Sequence, residues 1–160
     1  MIRAVLVLLL LLPFAPTSSE AFVFRKIVYC SPIQGEIHWQ GKRIPNLVVT
    51  RELYSGGFEG GKYLDTATTN ANGRFKFEAV EKRRVFRPDL LSANPNISQL
   101  LWLSHEGERY AIWTYTKNEF HHNSESKDGV IKIECDLSTY EQYDHGRIVR
   151  CKHNGNQINQ

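Results

Sequence analysis

An all-β fold, an antiparallel Greek-key β-sandwich of about seven strands, is what this 160-residue sequence predicts. Three observations carry the prediction. Apolar and polar residues alternate with period two in Ile33–Trp39, Arg74–Phe77 and Val130–Leu137, as they do in strands with one buried face. Glycine, asparagine and proline punctuate the chain at the short intervals of hairpin connections. Long stretches with a 3.6-residue period are missing, which argues against an α/β fold.

The chain opens on a segment read as a secretory signal. Arg3 supplies a positive start, Ala4 to Leu12 is an apolar run, Pro13 interrupts it, and Ser19-Glu20-Ala21 presents small residues at a cleavage site. The run has about nine residues, where a membrane-spanning helix needs about 20. Residues 1–21 are therefore expected to be removed on export. One sandwich domain over residues 22–153 and a flexible tail over 154–160 follow from the remaining length and from the polar end. Loss of Arg3 and Glu20 together leaves the net charge at +3, too mild for a nucleic-acid binder.

Within the domain, Phe22–Cys30 is read as a leading strand or arm. Ile33–Trp39 follows with Ile33, Gly35, Ile37 and Trp39 on one face, and Gln40 to Arg43 makes a tight turn around Gly41. Ile44–Leu53 is expected as one strand with Pro45 at its entrance. Tyr54–Gly61, with four glycines, is read as a mobile loop. Lys62–Thr69 is the next strand, Asn70 to Gly73 turns the chain, and Phe75 and Phe77 point inward between Arg74 and Lys76. Glu81–Pro95, rich in basic residues, is assigned as a long exposed crossover loop. Ile97–Leu103 and Glu108–Thr116 form a hairpin, Lys117–Gly129 is a polar loop, and Val130–Leu137 is the last strand. Residues 138–153 show no clear period.

Three cysteines, Cys30, Cys135 and Cys151, lie beyond the signal. Export exposes them to an oxidising compartment, and three single bridges can be drawn among them. Cys135 to Cys151 is the expected pair, because it ties the post-strand tail back to the last predicted strand. Cys30 is then left buried or available to another molecule.

Gly35-Glu36-Ile37, Gly41 to Val49 and Asp65 to Phe77 resemble the carboxypeptidase regulatory-like domains of the transthyretin-like group. The shared pattern is a glycine-bearing first strand, a short turn ending in Ile44-Pro45, and a T-N-x-x-G-x-F-x-F element. The resemblance implies a β-sandwich scaffold, and scaffolds of this kind host unrelated functions. A hydrolase of the same group, acting on 5-hydroxyisourate, ends in Tyr-Arg-Gly-Ser, whereas this chain ends His153 to Gln160 without that motif. With Cys30-Ser31, Arg51-Glu52, Trp113 and Cys135-Asp136-Leu137 added, the chain also resembles a small uncharacterised family of bacterial domains of unknown function. That likeness implies a Gram-negative source and a periplasmic or secreted location.

Candidate chemistry is sparse. Ser104-His105 is a neighbour pair in a turn, without the strained elbow of a serine nucleophile. His121 and His122 are the candidate metal ligands, with Glu119 and Asp128 near them in sequence, but zinc-type spacing is missing. Lys82, Arg83, Arg84, Phe86 and Arg87 form a basic run with an apolar residue, suited to an acidic partner or a membrane surface. Trp102, Tyr110, Trp113 and Tyr115 are split by alternation between core and surface. The expectation is an exported non-catalytic module that binds a protein or envelope component, without cofactor, nucleic acid or transmembrane segment. The alternative is a small periplasmic hydrolase or metal-dependent enzyme built on the His121/His122 loop.

Overall fold

A computed structural model describes residues 23–86, 96–120 and 124–154. Thirteen strands run through them: β1 (Val23–Cys30), β2 (Ile33–Trp39), β3 (Lys42–Arg43), β4 (Val48–Tyr54), β5 (Lys62–Thr68), β6 (Arg74–Phe77), β7 (Val80–Phe86), β8 (Ile97–His105), β9 (Glu108–Lys117), β10 (Ile131–Asp136), β11 (Tyr140–Tyr143), β12 (Gly146–Val149) and β13 (Lys152–His153). A six-stranded sheet has the order β11-β12-β9-β8-β4-β5. A five-stranded sheet runs β13-β10-β2-β3, with β6 also on β2, and β1 pairs with β7 as a two-stranded ribbon. The chain is therefore the expected all-β sandwich.

Alternation places the core. Ile33 and Ile37 of β2, Phe75 and Phe77 of β6, and Ile131, Ile133 and Cys135 of β10 meet Val49, Leu53, Leu101, Leu103 and Tyr110 of the six-stranded sheet in one apolar cluster. Gly35 interrupts the apolar face of β2 for a steric reason. It lies opposite Phe75, and a Cβ at position 35 would collide with the Phe75 ring, so the glycine makes room for the aromatic.

Several elements differ from the sequence expectation. Two neighbour pairs, β2 with β10 and β9 with β12, are parallel. Their strands are far apart along the chain, so hairpin geometry does not impose a direction on them. The single strand expected over Ile44–Leu53 is broken, because the chain crosses there from the five-stranded to the six-stranded sheet. Buried Thr69 fastens the crossing: its hydroxyl donates to Ile44 O at 2.8 Å and accepts from Leu47 N at 2.8 Å, and Asn46 takes a φ of 59°. The long basic crossover loop is a correction: Val80–Phe86 is β7, hydrogen-bonded antiparallel to β1, and only residues 87–95 of the expected loop lie outside the described residues. Charged side chains on successive positions hid its strand character. Residues 138–153 contain three short strands, and β11 is exposed along its length, which explains the missing period. Residues 1–22, the expected signal among them, and most of the expected tail lie outside the described residues.

Cys135 and Cys151 form a disulfide across a sequence separation of 16, as expected. Its place is different from a tail staple. Cys151 sits between β12 of one sheet and β13 of the other, so the bridge fastens the crossing between sheets to β10. Asp136, the next residue after Cys135, accepts from Gln40 N at 3.0 Å, Gly41 N at 2.9 Å, and Ser138 N and Oγ at 3.0 and 2.6 Å. One carboxylate thus holds the β2–β3 turn, where Gln40 and Gly41 both have positive φ. The Ser138 hydroxyl, with the backbone donors, outweighs desolvation and holds its pKa down at about 2.

Replacing both bridge cysteines with serine should lower stability by about 3 kcal/mol, read from urea denaturation under non-reducing conditions. An unchanged midpoint would show the bridge to be dispensable. Because the folded-state pKa of Asp136 lies below its ordinary value of 3.8, its contribution is complete above about pH 4 and is lost as pH falls toward 2. The urea midpoint of the wild type should therefore fall more steeply over that window than that of Asp136→Asn, which should start lower at neutral pH; parallel profiles would contradict the assignment.

Candidate functional site

The basic run identified in the sequence lies on the β1–β7 ribbon. Cross-strand register sets Lys26 opposite Arg83 and Arg25 opposite Arg84, with Lys82 opposite Ile27. The two strands carry five basic residues, Arg25, Lys26, Lys82, Arg83 and Arg84, against the single acid Glu81. Like charges directly opposite one another weaken an antiparallel pair, so this ribbon holds a concentration of positive charge at a cost. Lys26 offsets part of it by an ion pair with Glu81 at 2.7 Å, while Arg83 is exposed.

Lys82 belongs to the packing of the ribbon as much as to its charge. Its ammonium lies 4.7 Å from the Phe58 ring centroid and 5.9 Å from that of Tyr29, and it donates to Gly57 O at 3.3 Å. Phe58 is buried against Tyr29, with centroids 4.4 Å apart, and the missing side chain of Gly57 is what lets the Tyr29 ring fit. The glycine-rich segment is thus a packed turn under the ribbon, in contrast to the mobile loop expected. Arg84 and Phe86 also fall on β7; Arg87, His121 and His122 lie outside the described residues.

Behind the ribbon is a buried polar layer that sequence reasoning missed. The Glu125 carboxylate accepts from Ser31 N (3.1 Å), Ser31 Oγ (2.8 Å), Gln99 Nε2 (2.9 Å), Lys117 Nζ (2.9 Å) and Ser124 Oγ (3.2 Å). Glu125 and Lys117 are both fully buried. Burial pushes the Glu125 carboxyl up, but the Lys117 charge and the hydrogen bonds from Gln99, Lys117 and Ser31 bring it below the ordinary carboxylate range. Alongside, Arg51 donates to both oxygens of Asp65 at 2.9 and 2.6 Å and to Glu78 O at 2.8 Å, with its guanidinium 4.7 Å from the Phe77 ring centroid. Cys30 is buried in this layer, and desolvation pushes its thiol up to about 12 despite the nearby Arg51 charge. At neutral pH it is a protonated thiol donating to Ser31 O at 3.4 Å, which is a packing role. The sequence reading assigned Lys117 and Glu125 to one polar loop, whereas β9 runs on to Lys117 and turns it inward; the available signal was that Lys117 continues the alternation of Trp113 and Tyr115.

The outer face of the six-stranded sheet carries a second carboxylate cluster. Glu52 accepts from Tyr54 Oη at 2.6 Å and Trp102 Nε1 at 2.8 Å and pairs with Lys62 at 3.3 Å, while Arg109 stacks 4.1 Å from the Trp102 ring centroid. Of the four aromatics singled out, Tyr110 and Trp113 are core and Trp102 and Tyr115 half-buried. Glu119 and Asp128 are exposed, and Asp128 accepts from Asn154 Nδ2 at 3.2 Å. Among the described residues, no group of three or more His, Cys, Asp or Glu side chains could hold a metal ion. None of the helical segments there is long and apolar enough to cross a membrane.

Glu125→Gln should cost about 3–5 kcal/mol, because it removes the carboxylate that faces a fully buried ammonium. Pairing it with Lys117→Met should recover a large part of that loss in urea titrations, and simple additivity of the two changes would show that the groups do not act as a pair.

Comparison with known proteins returns no match among curated proteins. The family model described as a domain of unknown function, DUF6795, matches residues 33–140, from the start of β2 to the start of β11 and about two thirds of the chain. The matched span takes in most of both large sheets, Glu125 and Cys135, and by that match the chain belongs to the DUF6795 family of uncharacterised domains.

Proposed function

We propose that this chain is an exported, non-catalytic β-sandwich module that binds an anionic component of the cell envelope through the β1–β7 ribbon. The observation that carries the reading is the set of like-charged cross-strand positions, Lys26 opposite Arg83 and Arg25 opposite Arg84. A fold tolerates such pairs where a partner of opposite charge repays them. The signal-like residues 1–21, the disulfide and the oxidising compartment it needs support export to the periplasm or beyond. The resemblance of Gly35 to Phe77 to carboxypeptidase regulatory-like, transthyretin-like domains supports a scaffold role for the rest. Arginine and lysine on a rigid ribbon suit phosphate or carboxylate groups, which arginine engages through two parallel hydrogen bonds.

Cosedimentation with vesicles of anionic phospholipid, and retention on a polysulfated resin, test the reading. Binding should be strong at low salt and screened at high salt. Each basic residue near an anionic surface contributes about 1 kcal/mol, so Lys26→Gln with Arg83→Gln should weaken vesicle binding by about 30-fold without lowering the melting transition, because an opposed like-charged pair is removed. Binding that ignores the substitutions, or no binding to either probe at low salt, overturns the ribbon as the contact.

A further inference from the structure

Among the described residues, the six-stranded sheet has an unfilled strand position beside β9. On one side, β9 pairs with β8 from Glu108 to Lys117. On the other, β12 accompanies it only at Arg147 opposite Tyr110 and Ile148 opposite Ala111. After Val149 the chain turns out of the sheet, with Cys151 N donating to Val149 O at 3.1 Å, and the disulfide holds Cys151 against β10 of the other sheet. Among the described strands, none pairs with Ile112 to Thr116 on that side.

A cleft of about 440 Å³ occupies this position, and its wall includes the six successive residues Ala111 to Thr116. Successive strand residues point to opposite faces, so a cleft touching all six follows the edge of the strand rather than lying over either face. Ile112 is the extra residue of a bulge, since Leu101 and Trp102 of β8 pair with Trp113 and Ala111. Bulges bend and twist a strand and recur where pairing is redirected. The inner wall is formed by Trp113, Tyr115 and His153, with Trp113 and Tyr115 stacked at 6.1 Å between centroids and His153 edge-on to Trp113 at 5.4 Å. Trp113 is 4% exposed, and its Nε1 is buried without an acceptor among the described residues.

We propose that this groove takes an extended segment of a partner polypeptide, added as a strand along β9 in the place β12 vacates. A strand edge presents N–H and C=O groups at the spacing of another backbone, and a peptide satisfies both, which a sugar or lipid chain does not. Apolar side chains of the guest face the aromatic wall of Trp113 and Tyr115. Alternate guest residues face outward beside Ile148 and Tyr143, which are 38% and 52% exposed. Glu141 and Arg150 at the mouth neutralise each other at 2.6 Å, so the guest recognised is apolar on alternate residues rather than charged. This surface is separate from the β1–β7 ribbon and does not depend on it.

The test uses a soluble peptide alternating valine with threonine and lysine, its composition-matched scramble, and the same peptide N-methylated on alternate amides. Amide hydrogen exchange of the whole protein should show new protection within Ile112 to Thr116 with the alternating peptide, and little with the other two. Tyr143→Ala, at an exposed position of the groove wall, should weaken binding several-fold and leave the melting transition unchanged. Equal binding of the N-methylated peptide, or no protection in this segment at millimolar peptide, overturns the proposal. So does protection that appears without peptide and rises with protein concentration alongside dimer formation, because the guest would then be a second copy of this chain.

Discussion

The Glu125 carboxylate is the constraint on which the arrangement of this molecule turns. It gathers donors from the residue after β1, from the middle of β8, from the end of β9 and from its own loop, and all of this happens where water does not reach. A buried carboxylate is tolerated only when its lone pairs are filled and its charge is met. That requirement fixes where the ribbon joins the six-stranded sheet, since Ser31 satisfies Glu125 only when β1 ends beside Gln99. The parallel neighbour, Arg51 with Asp65 and Glu78 O, does the same between β4, β5 and the segment leading from β6 to β7. Charged residues here specify the relative placement of strands that an apolar core alone would let slide.

Closure of the sandwich explains both candidate surfaces. The chain passes between the sheets at Ile44–Leu47, where Thr69 bonds both sides of the crossing, and again at Cys151, where the disulfide takes that part. The second crossing draws the chain away from β9 after two paired residues and leaves an edge lined by aromatics. Pairing of β1 with β7, in turn, collects basic residues from the start and the middle of the domain sequence onto one ribbon. The ribbon offers charge and the groove offers backbone and apolar area, so the two surfaces would select different parts of a partner or different partners.

Residues of the small-family likeness fall at these points of constraint. Ser31 meets Glu125, Arg51 meets Asp65, Glu52 meets Tyr54 and Trp102, and Asp136 holds the β2–β3 turn. Their roles are architectural except for Trp113, whose buried N–H has no acceptor among the described residues.

The amino-acid sequence by itself determined which residues face inward in β2, β6 and β10, because alternation is a property of one strand and needs no partner. It also pointed to Cys135–Cys151 among three possible bridges, a choice that the disulfide across the sheets settles, and marked the break at Asn70 to Gly73. Strand partnership was decided only by the tertiary structure. A basic run such as Lys82 to Phe86 reads as a solvated loop until β1, some 50 residues earlier, supplies its hydrogen bonds. Glu125 reads as one polar residue in a polar loop until three strands converge on it. The place beside β9 left unfilled among the described strands is a relation among β9, β12 and the Cys151 crossing, and no local pattern encodes such a relation. Periodicity is written within a strand; pairing, burial of charge and unfilled edges arise between strands.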